Sequence, residues 1–160
     1  MKKFKAFIAL DAPNNIKNIE IVKKLHKSVY GFKVGYRSFY NKDAEKLITE
    51  IKRKKSRLFL DLKLHDIPNT VSSAIESLKN INPDFLTLHI TGGEEMLKSA
   101  LKNIKKFNLK TKVLGVTLLT SLDSKDSKKI YGEKDTDKLI KKLALIASKV
   151  KIAGLICSGQ

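Results

Sequence analysis

Six short apolar runs, amphipathic stretches between them and polar residues where the runs end predict an α/β fold, a parallel (β/α)8 TIM barrel that is incomplete in this chain. The runs are Phe4 to Leu10, Tyr30 to Val34, Leu58 to Leu64, Phe85 to Ile90, Val113 to Leu119 and Ile152 to Cys157. Each has the length of a strand buried on both faces, which reads as near-continuous apolar sequence. Between them, apolar residues recur every three or four positions, the mark of helices that pack one stripe onto a sheet. The stripes are Ile19, Val22, Leu25 and Val29; Leu47, Ile48 and Ile51; Val71, Ile75 and Leu78; Met96, Leu97, Leu101 and Ile104; and Leu139, Leu143, Ile146 and Val150. The repeat is about 25 to 30 residues, the size of a β-α-β unit with its right-handed crossover. Polar residues favour a barrel over an open sheet. Asp11, Lys33, Asp61, Lys63, His89 and Thr117 fall at or near C-terminal strand ends, which a barrel gathers at one mouth. The first turn reads Asp11-Ala12-Pro13-Asn14-Asn15, without the glycine-rich phosphate turn of an open dinucleotide-binding sheet. About six strands and five helices are counted where a closed barrel has eight of each. The expectation is a single incomplete barrel domain, residues 1–160, cut after the sixth strand and lacking its C-terminal βα units.

Composition narrows the class. Of 160 residues, 42% are hydrophobic and 31% charged, with eight Gly and three Pro, enough to build one core and unlike a disordered or repetitive chain. A single cysteine excludes a disulfide framework and a cysteine-based zinc site, and with no leader at the start it points to the reducing cytoplasm. Cys157 is read as a small core residue and His26 as solvated on a lysine-rich helix. No apolar run is long enough to span a bilayer, so no membrane partner is expected. The formal net charge of +17 raises the question of nucleic acid. Only Arg37, Arg53 and Arg57 are arginines, and the lysines cluster where helices face water, as Lys23, Lys24 and Lys27 do. This is a solvated surface rather than a nucleic-acid interface.

The chemistry concentrates in Arg57-Leu58-Phe59-Leu60-Asp61-Leu62-Lys63-Leu64-His65-Asp66. Alternation sends Leu58, Leu60, Leu62 and Leu64 to the helix side and Phe59, Asp61 and Lys63 to the interior. Asp66 follows where the chain turns before Pro68, and Lys33 ends its strand as Phe32-Lys33-Val34-Gly35. A lone Asp–Lys pair would be read as a buried ion pair fixing register. Lys33, Asp61, Lys63 and Asp66, with Asp11 nearby, form an alternating array, and burying so many charges for stability alone is inefficient. A lysine held between carboxylates is a general acid for a developing carbanion, while the carboxylates disfavour a substrate carboxylate more than the transition state. Decarboxylation with protonation at carbon fits that pattern without a cofactor or a metal. Among weaker signals, His65 is divided between a supporting hydrogen bond and packing, and His89 is a candidate supporting group at the mouth. Gly92-Gly93 reads as a turn, and Asp123 to Lys138 as a polar loop and helix entry that forms part of a lid.

The run Asp61-Leu62-Lys63-Leu64-His65-Asp66-Ile67-Pro68-Asn69-Thr70-Val71 resembles the signature of the orotidine 5′-phosphate decarboxylase family. The shorter D-x-K-x-x-D is shared with phosphosugar decarboxylases and synthases, whereas the continuation from Ile67 to Val71 is more specific. Further segments resemble the family's other strand ends: Ala9-Leu10-Asp11, Phe32-Lys33-Val34-Gly35, Leu88-His89-Ile90-Thr91-Gly92-Gly93, Gly115 to Leu122, and Gly154 to Ser158.

The resemblance implies conversion of orotidine 5′-monophosphate to UMP in pyrimidine synthesis, with no cofactor. It implies Lys63 as proton donor to C6 of the pyrimidine, Asp61 beside the scissile carboxylate, Lys33 at the ribose and in the charge network, and Asp11 accepting a ribose hydroxyl. It further implies a homodimer in which Asp66, Ile67 and Thr70 reach the neighbouring site, with Leu62, Leu64, His65, Pro68 and Asn69 completing the substrate-binding run. Thr120 and Ser121 lie where the family contacts or covers the pyrimidine. The family's 5′-phosphate loops, after a seventh and eighth strand, are not among these residues, so weak or no activity is expected of this chain alone. The alternatives are an enzyme like 3-keto-L-gulonate 6-phosphate decarboxylase, which uses a metal, and a non-catalytic remnant.

Overall fold

The structure, a computed structural model, describes residues 4–157. All six expected runs form strands: β1 (Phe4–Ala9), β2 (Val29–Gly35), β3 (Arg57–Leu64), β4 (Phe85–His89), β5 (Lys112–Val116) and β6 (Gly154–Ile156). They stand in one sheet in chain order, and the β1–β2, β2–β3 and β5–β6 ladders are parallel. That succession is the architecture of a TIM barrel, of which the described residues supply six strands. Ser158, the last residue of the sixth-strand resemblance, lies outside the described residues, as does Gln160.

The five expected helices are α1 (Asn15–Leu25), α3 (Ala44–Arg53), α4 (Pro68–Ser77), α5 (Gly93–Lys106) and α7 (Thr136–Val150). Two more occur among the described residues, α2 (Tyr36–Phe39) and α6 (Ser124–Tyr131). Helix α6 corrects the reading of Asp123 to Lys138 as a loop. The Asp123 side chain accepts from the amides of Lys125 (2.7 Å) and Asp126 (2.9 Å), and the Asp126 carboxylate accepts from the Asp123 amide at 3.4 Å. This capping box lets a polar segment with little apolar periodicity start a helix, and Gly132 ends it at φ 73°. Val29 was grouped with the α1 stripe, but α1 closes at Leu25 and Val29 opens β2 opposite Phe4. Cys157 and His26 also depart from expectation. The first is exposed just past the short β6, and the second is half-buried at the α1 C-cap, its amide on the Val22 carbonyl.

Backbone contacts divide the described residues into two compact units. The first comprises those up to Leu62 together with Asn80–Leu86, and the second Lys63–Lys79 together with those from Thr87 onward. The core of the first is built on Leu10, Val22, Phe32, Leu47, Ile51 and Leu60, all fully buried. On the face of β3 that also carries Asp61, Phe59 meets Phe7 edge-on at 5.4 Å, and Phe7 meets Tyr30 and Phe85 at 5.3 and 5.5 Å. Edge-to-face pairs of this kind add about 0.5–1.5 kcal/mol beyond area burial. Gly31 makes the cluster possible, because any side chain there would run into the Phe7 ring and the Arg57 backbone.

The second unit is centred on Val71, Ile75, Leu88, Ile90, Met96 and Leu97. Helix α4 packs on α5 across a polar seam: Ser72 Oγ donates to the Pro68 carbonyl at 2.9 Å, lies 2.6 Å from Ser99 Oγ and accepts from Asn103 Nδ2 at 2.9 Å. The seam holds the first turn of α4, where Pro68 at the helix start costs no hydrogen bond. No helix among the described residues is long and apolar enough to cross a membrane.

Candidate active site

In the first unit, the parallel register sets Gly35 opposite Asp61 and Lys33 opposite Phe59, so Lys33 and Asp61 are diagonal neighbours on β2 and β3. Their side chains form an ion pair, Nζ to Oδ2 3.4 Å, with 26% and 14% of the side chains exposed. Largely removed from water, such a pair is held more firmly than one on an open surface. A Cβ placed on Gly35 would lie 3.7 Å from Lys33 Nζ and 3.9 Å from Asp11 Oδ1, so Asp11 and Lys33 both reach the space over that glycine. Three of the expected charges are thus gathered at the C-terminal ends of three successive strands.

The loop bearing Asp11 rests on a buried polar network that the periodicity did not reveal. Asn15 and Asn18, three residues apart in the first turns of α1, are 1% and 0% exposed. Asn18 Oδ1 accepts the Ala12 amide at 3.2 Å, and its Nδ2 donates to Ser38 Oγ at 2.9 Å and to Asn15 Oδ1 at 3.1 Å. Asn15 Nδ2 donates to the carbonyls of Ser38 (2.9 Å) and Lys42 (3.0 Å), and Ser38 Oγ donates to the Leu10 carbonyl. The available signal was two amides on the buried side of a helix whose stripe should be apolar there. Arg37 adds a hydrogen bond to the Asp11 carbonyl at 3.2 Å. Tyr36 Oη donates to the Leu62 carbonyl at 2.6 Å, which ties the single turn α2 to the end of β3.

The second unit begins at Lys63, which is half-buried and has φ 42°, in the left-handed region. For a residue with a long side chain that conformation costs on the order of 1–3 kcal/mol and persists only where the surroundings impose it. It also ends the simple alternation expected along β3, and Leu64 is only half-buried. The Lys63 amide donates to Thr87 Oγ1 at 2.8 Å. His65 and His89 lie with ring centroids 5.0 Å apart and planes tilted by 36°, and His65 Nε2 is 3.4 Å from Thr91 Oγ1. Asp66 to Thr70 is an exposed run that includes Ile67, 65% exposed; Asp66 Oδ1 accepts the Ile67 amide at 2.7 Å. Thr120 and Ser121, just past β5, are exposed as well. Thr87 and Tyr36 were not singled out in the sequence. Thr87 could have been found, since alternation in Phe85-Leu86-Thr87-Leu88-His89 places it on the face of His89.

His89 carries a pH dependence. Burial pushes its imidazole below the ordinary value of 6.5, and the positive groups His65 and Lys63 push the same way. Its folded pKa therefore lies under its unfolded one, so the stability linked to its neutral form is present above about pH 6.5 and is lost as pH falls through the folded value. Denaturant midpoints taken between neutral and mildly acid pH are expected to fall for the parent and to fall less for His89→Gln. An equal fall in both would show that His89 is not the responsible group.

Comparison with known proteins bears on this arrangement. Residues 5–160 match the family model described as orotidine 5′-phosphate decarboxylase / HUMPS family. The chain is 37% identical over 158 residues to the orotidine 5′-phosphate decarboxylase of Buchnera aphidicola subsp. Baizongia pistaciae, covering 99% of this chain and 66% of that one. With the enzyme of the same name from Carboxydothermus hydrogenoformans it shares 40% identity over 158 residues, covering 96% and 65%. The crystal structure of orotidine 5′-phosphate decarboxylase from Lactobacillus acidophilus superposes with a TM-score of 0.82 at 32% identity, over 96% of this chain and 71% of that one. The chain spans about two thirds of the length of the curated relatives it matches. With the family match running through every strand end that bears a charged candidate residue, the chain belongs to the orotidine 5′-phosphate decarboxylase / HUMPS family.

Proposed function

We propose that this polypeptide converts orotidine 5′-monophosphate to UMP and CO2, the decarboxylation that ends pyrimidine nucleotide synthesis, and that it does so in the cytoplasm as a homodimer. The observation that carries the reading is the Lys33–Asp61 ion pair at 3.4 Å, set at the head of the motif that continues through Lys63 and Asp66. The names of the relatives support the substrate, and the exposed run from Asp66 to Thr70 supports a second subunit as the cover for Ile67.

In this reading the C6–carboxylate bond breaks, its electron pair stays on C6, and CO2 departs. Lys63 Nζ delivers a proton to C6, and solvent returns one to the amine. Asp61 flanks the departing carboxylate, so repulsion present with substrate is relieved in the transition state, where charge has moved to the ring. Lys33 neutralises and orients Asp61 and contacts the ribose, whose hydroxyl Asp11 accepts. Asp66, Ile67 and Thr70 serve the partner's site, while Leu62, Leu64, His65, Pro68, Asn69, Thr120 and Ser121 shape the substrate's surroundings. Remote phosphate binding supplies much of the energy for such chemistry.

The test is the change in ring absorbance as the orotate chromophore becomes uracil, with release of CO2 from orotidine 5′-monophosphate in the presence of a chelator, alongside thermal protection by UMP. Chelator-resistant turnover supports the reading. Metal-dependent decarboxylation of 3-keto-L-gulonate 6-phosphate, or failure of both substrates and of UMP protection in the full-length polypeptide, would overturn it.

A further inference from the structure

We infer that Thr87 is a positioning residue for Lys63, acting on its backbone amide rather than on its ammonium group. The inference rests on the reading of Lys63 as proton donor. Thr87 sits in the middle of β4, on the same strand face as His89, and is completely buried. Its Oγ1 accepts the Lys63 N–H at 2.8 Å. An amide removed from water without an acceptor is costly. The threonine hydroxyl supplies that acceptor. The carbonyl of the same peptide, Leu62 O, accepts from Tyr36 Oη at 2.6 Å within the first unit. The φ of 42° at Lys63 sets the direction in which its side chain leaves the backbone. The β-branched side chain at 87 is restricted in χ1 and completely buried, which limits how far the acceptor can move. Every other acceptor geometry would rotate the Lys63 Cα–Cβ bond and move the ammonium at the far end of four methylenes.

The test uses Thr87→Val, which keeps shape and branching but removes the acceptor, and Thr87→Ser, which restores it, in the full-length polypeptide. For Thr87→Val, kcat for orotidine 5′-monophosphate is expected to fall by about 100-fold with KM held within about twofold, the cost of a misaimed group rather than of lost binding. Thr87→Ser is expected to stay within about threefold of the parent in kcat. Hydrogen exchange at the Lys63 amide should accelerate by roughly tenfold or more in Thr87→Val, with the Leu60 amide unchanged. An unchanged kcat, or a Lys63 amide as protected as before, would overturn the inference. So would a loss shared by KM and accompanied by faster exchange along all of β3, since that is what lost packing produces. If the valine variant does not fold, the parent decides: protection of the Lys63 amide comparable to that of Leu60 supports the inference, and loop-like exchange overturns it. A parent that binds and turns over no orotidine 5′-monophosphate removes the decarboxylase reading and the positioning role together. Turnover by the parent with an indifferent Thr87→Val removes only the role of Thr87.

Discussion

Lys63→Ala is expected to lower turnover of orotidine 5′-monophosphate by at least about 10²–10⁴-fold, the range in which a positioned proton donor contributes, with little change in UMP protection. The expectation has a second arm that separates chemistry from folding. Lys63 occupies the left-handed region at φ 42°, which side chains other than glycine disfavour by about 1–2 kcal/mol. Lys63→Gly should therefore be as inactive as Lys63→Ala yet more stable than it by about 1 kcal/mol. The pair of measurements, kcat and a denaturant midpoint for each variant, identifies a residue kept at a strained position for its ammonium group. Retention of turnover within about threefold in both variants would refute the assignment of the proton donor.

The second large effect concerns stability beneath the Asp11 loop. Asn18→Leu buries an apolar group where three partners now depend on an amide: the Ala12 N–H, Ser38 Oγ and Asn15 Oδ1. The Ala12 N–H and the Asn15 carbonyl oxygen would be stranded in a region from which water is excluded, since Asn15 and Ser38 are each 1% exposed. A cost of about 3 kcal/mol is expected, the upper end for a stranded buried group. For a chain of this size that corresponds to a fall in melting temperature of roughly 6–12 °C. Lys17→Ala, one residue away on the exposed side of α1, should change stability by no more than about 0.5 kcal/mol. Because Ala12 adjoins Asp11, the same variant should weaken UMP protection beyond what lost stability explains. A melting temperature within about 2 °C of the parent would show that the network is dispensable.

The alternation of apolar runs and amphipathic stripes determined the strands, the five longer helices and their parallel order, because burial on both faces of a sheet demands just those patterns. The charged residues at strand ends were legible for the same reason. Lys33, Asp61 and Lys63 interrupt apolar runs, and a charge in such a place needs a partner. Helix α6 was missed because its stability comes from the Asp123–Asp126 capping box, a local device with no apolar period. Cys157 was misjudged because an apolar run reports what can be buried, whereas β6 stands at the end of the sheet and even its Leu155 is 40% exposed.

What sequence alone could not supply was geometry at the level of single groups. The diagonal placement of Lys33 and Asp61 follows from the β2–β3 register, which spacing along the chain does not contain. The left-handed turn at Lys63 is a high-energy local conformation, so no local propensity could announce it. The Lys63 N–H and the Thr87 hydroxyl that accepts it are distant in the chain, so their hydrogen bond is a product of tertiary structure. Types of residue and the order of elements are written along the polypeptide. Direction, register and strain arise only when segments far apart in that order constrain one another.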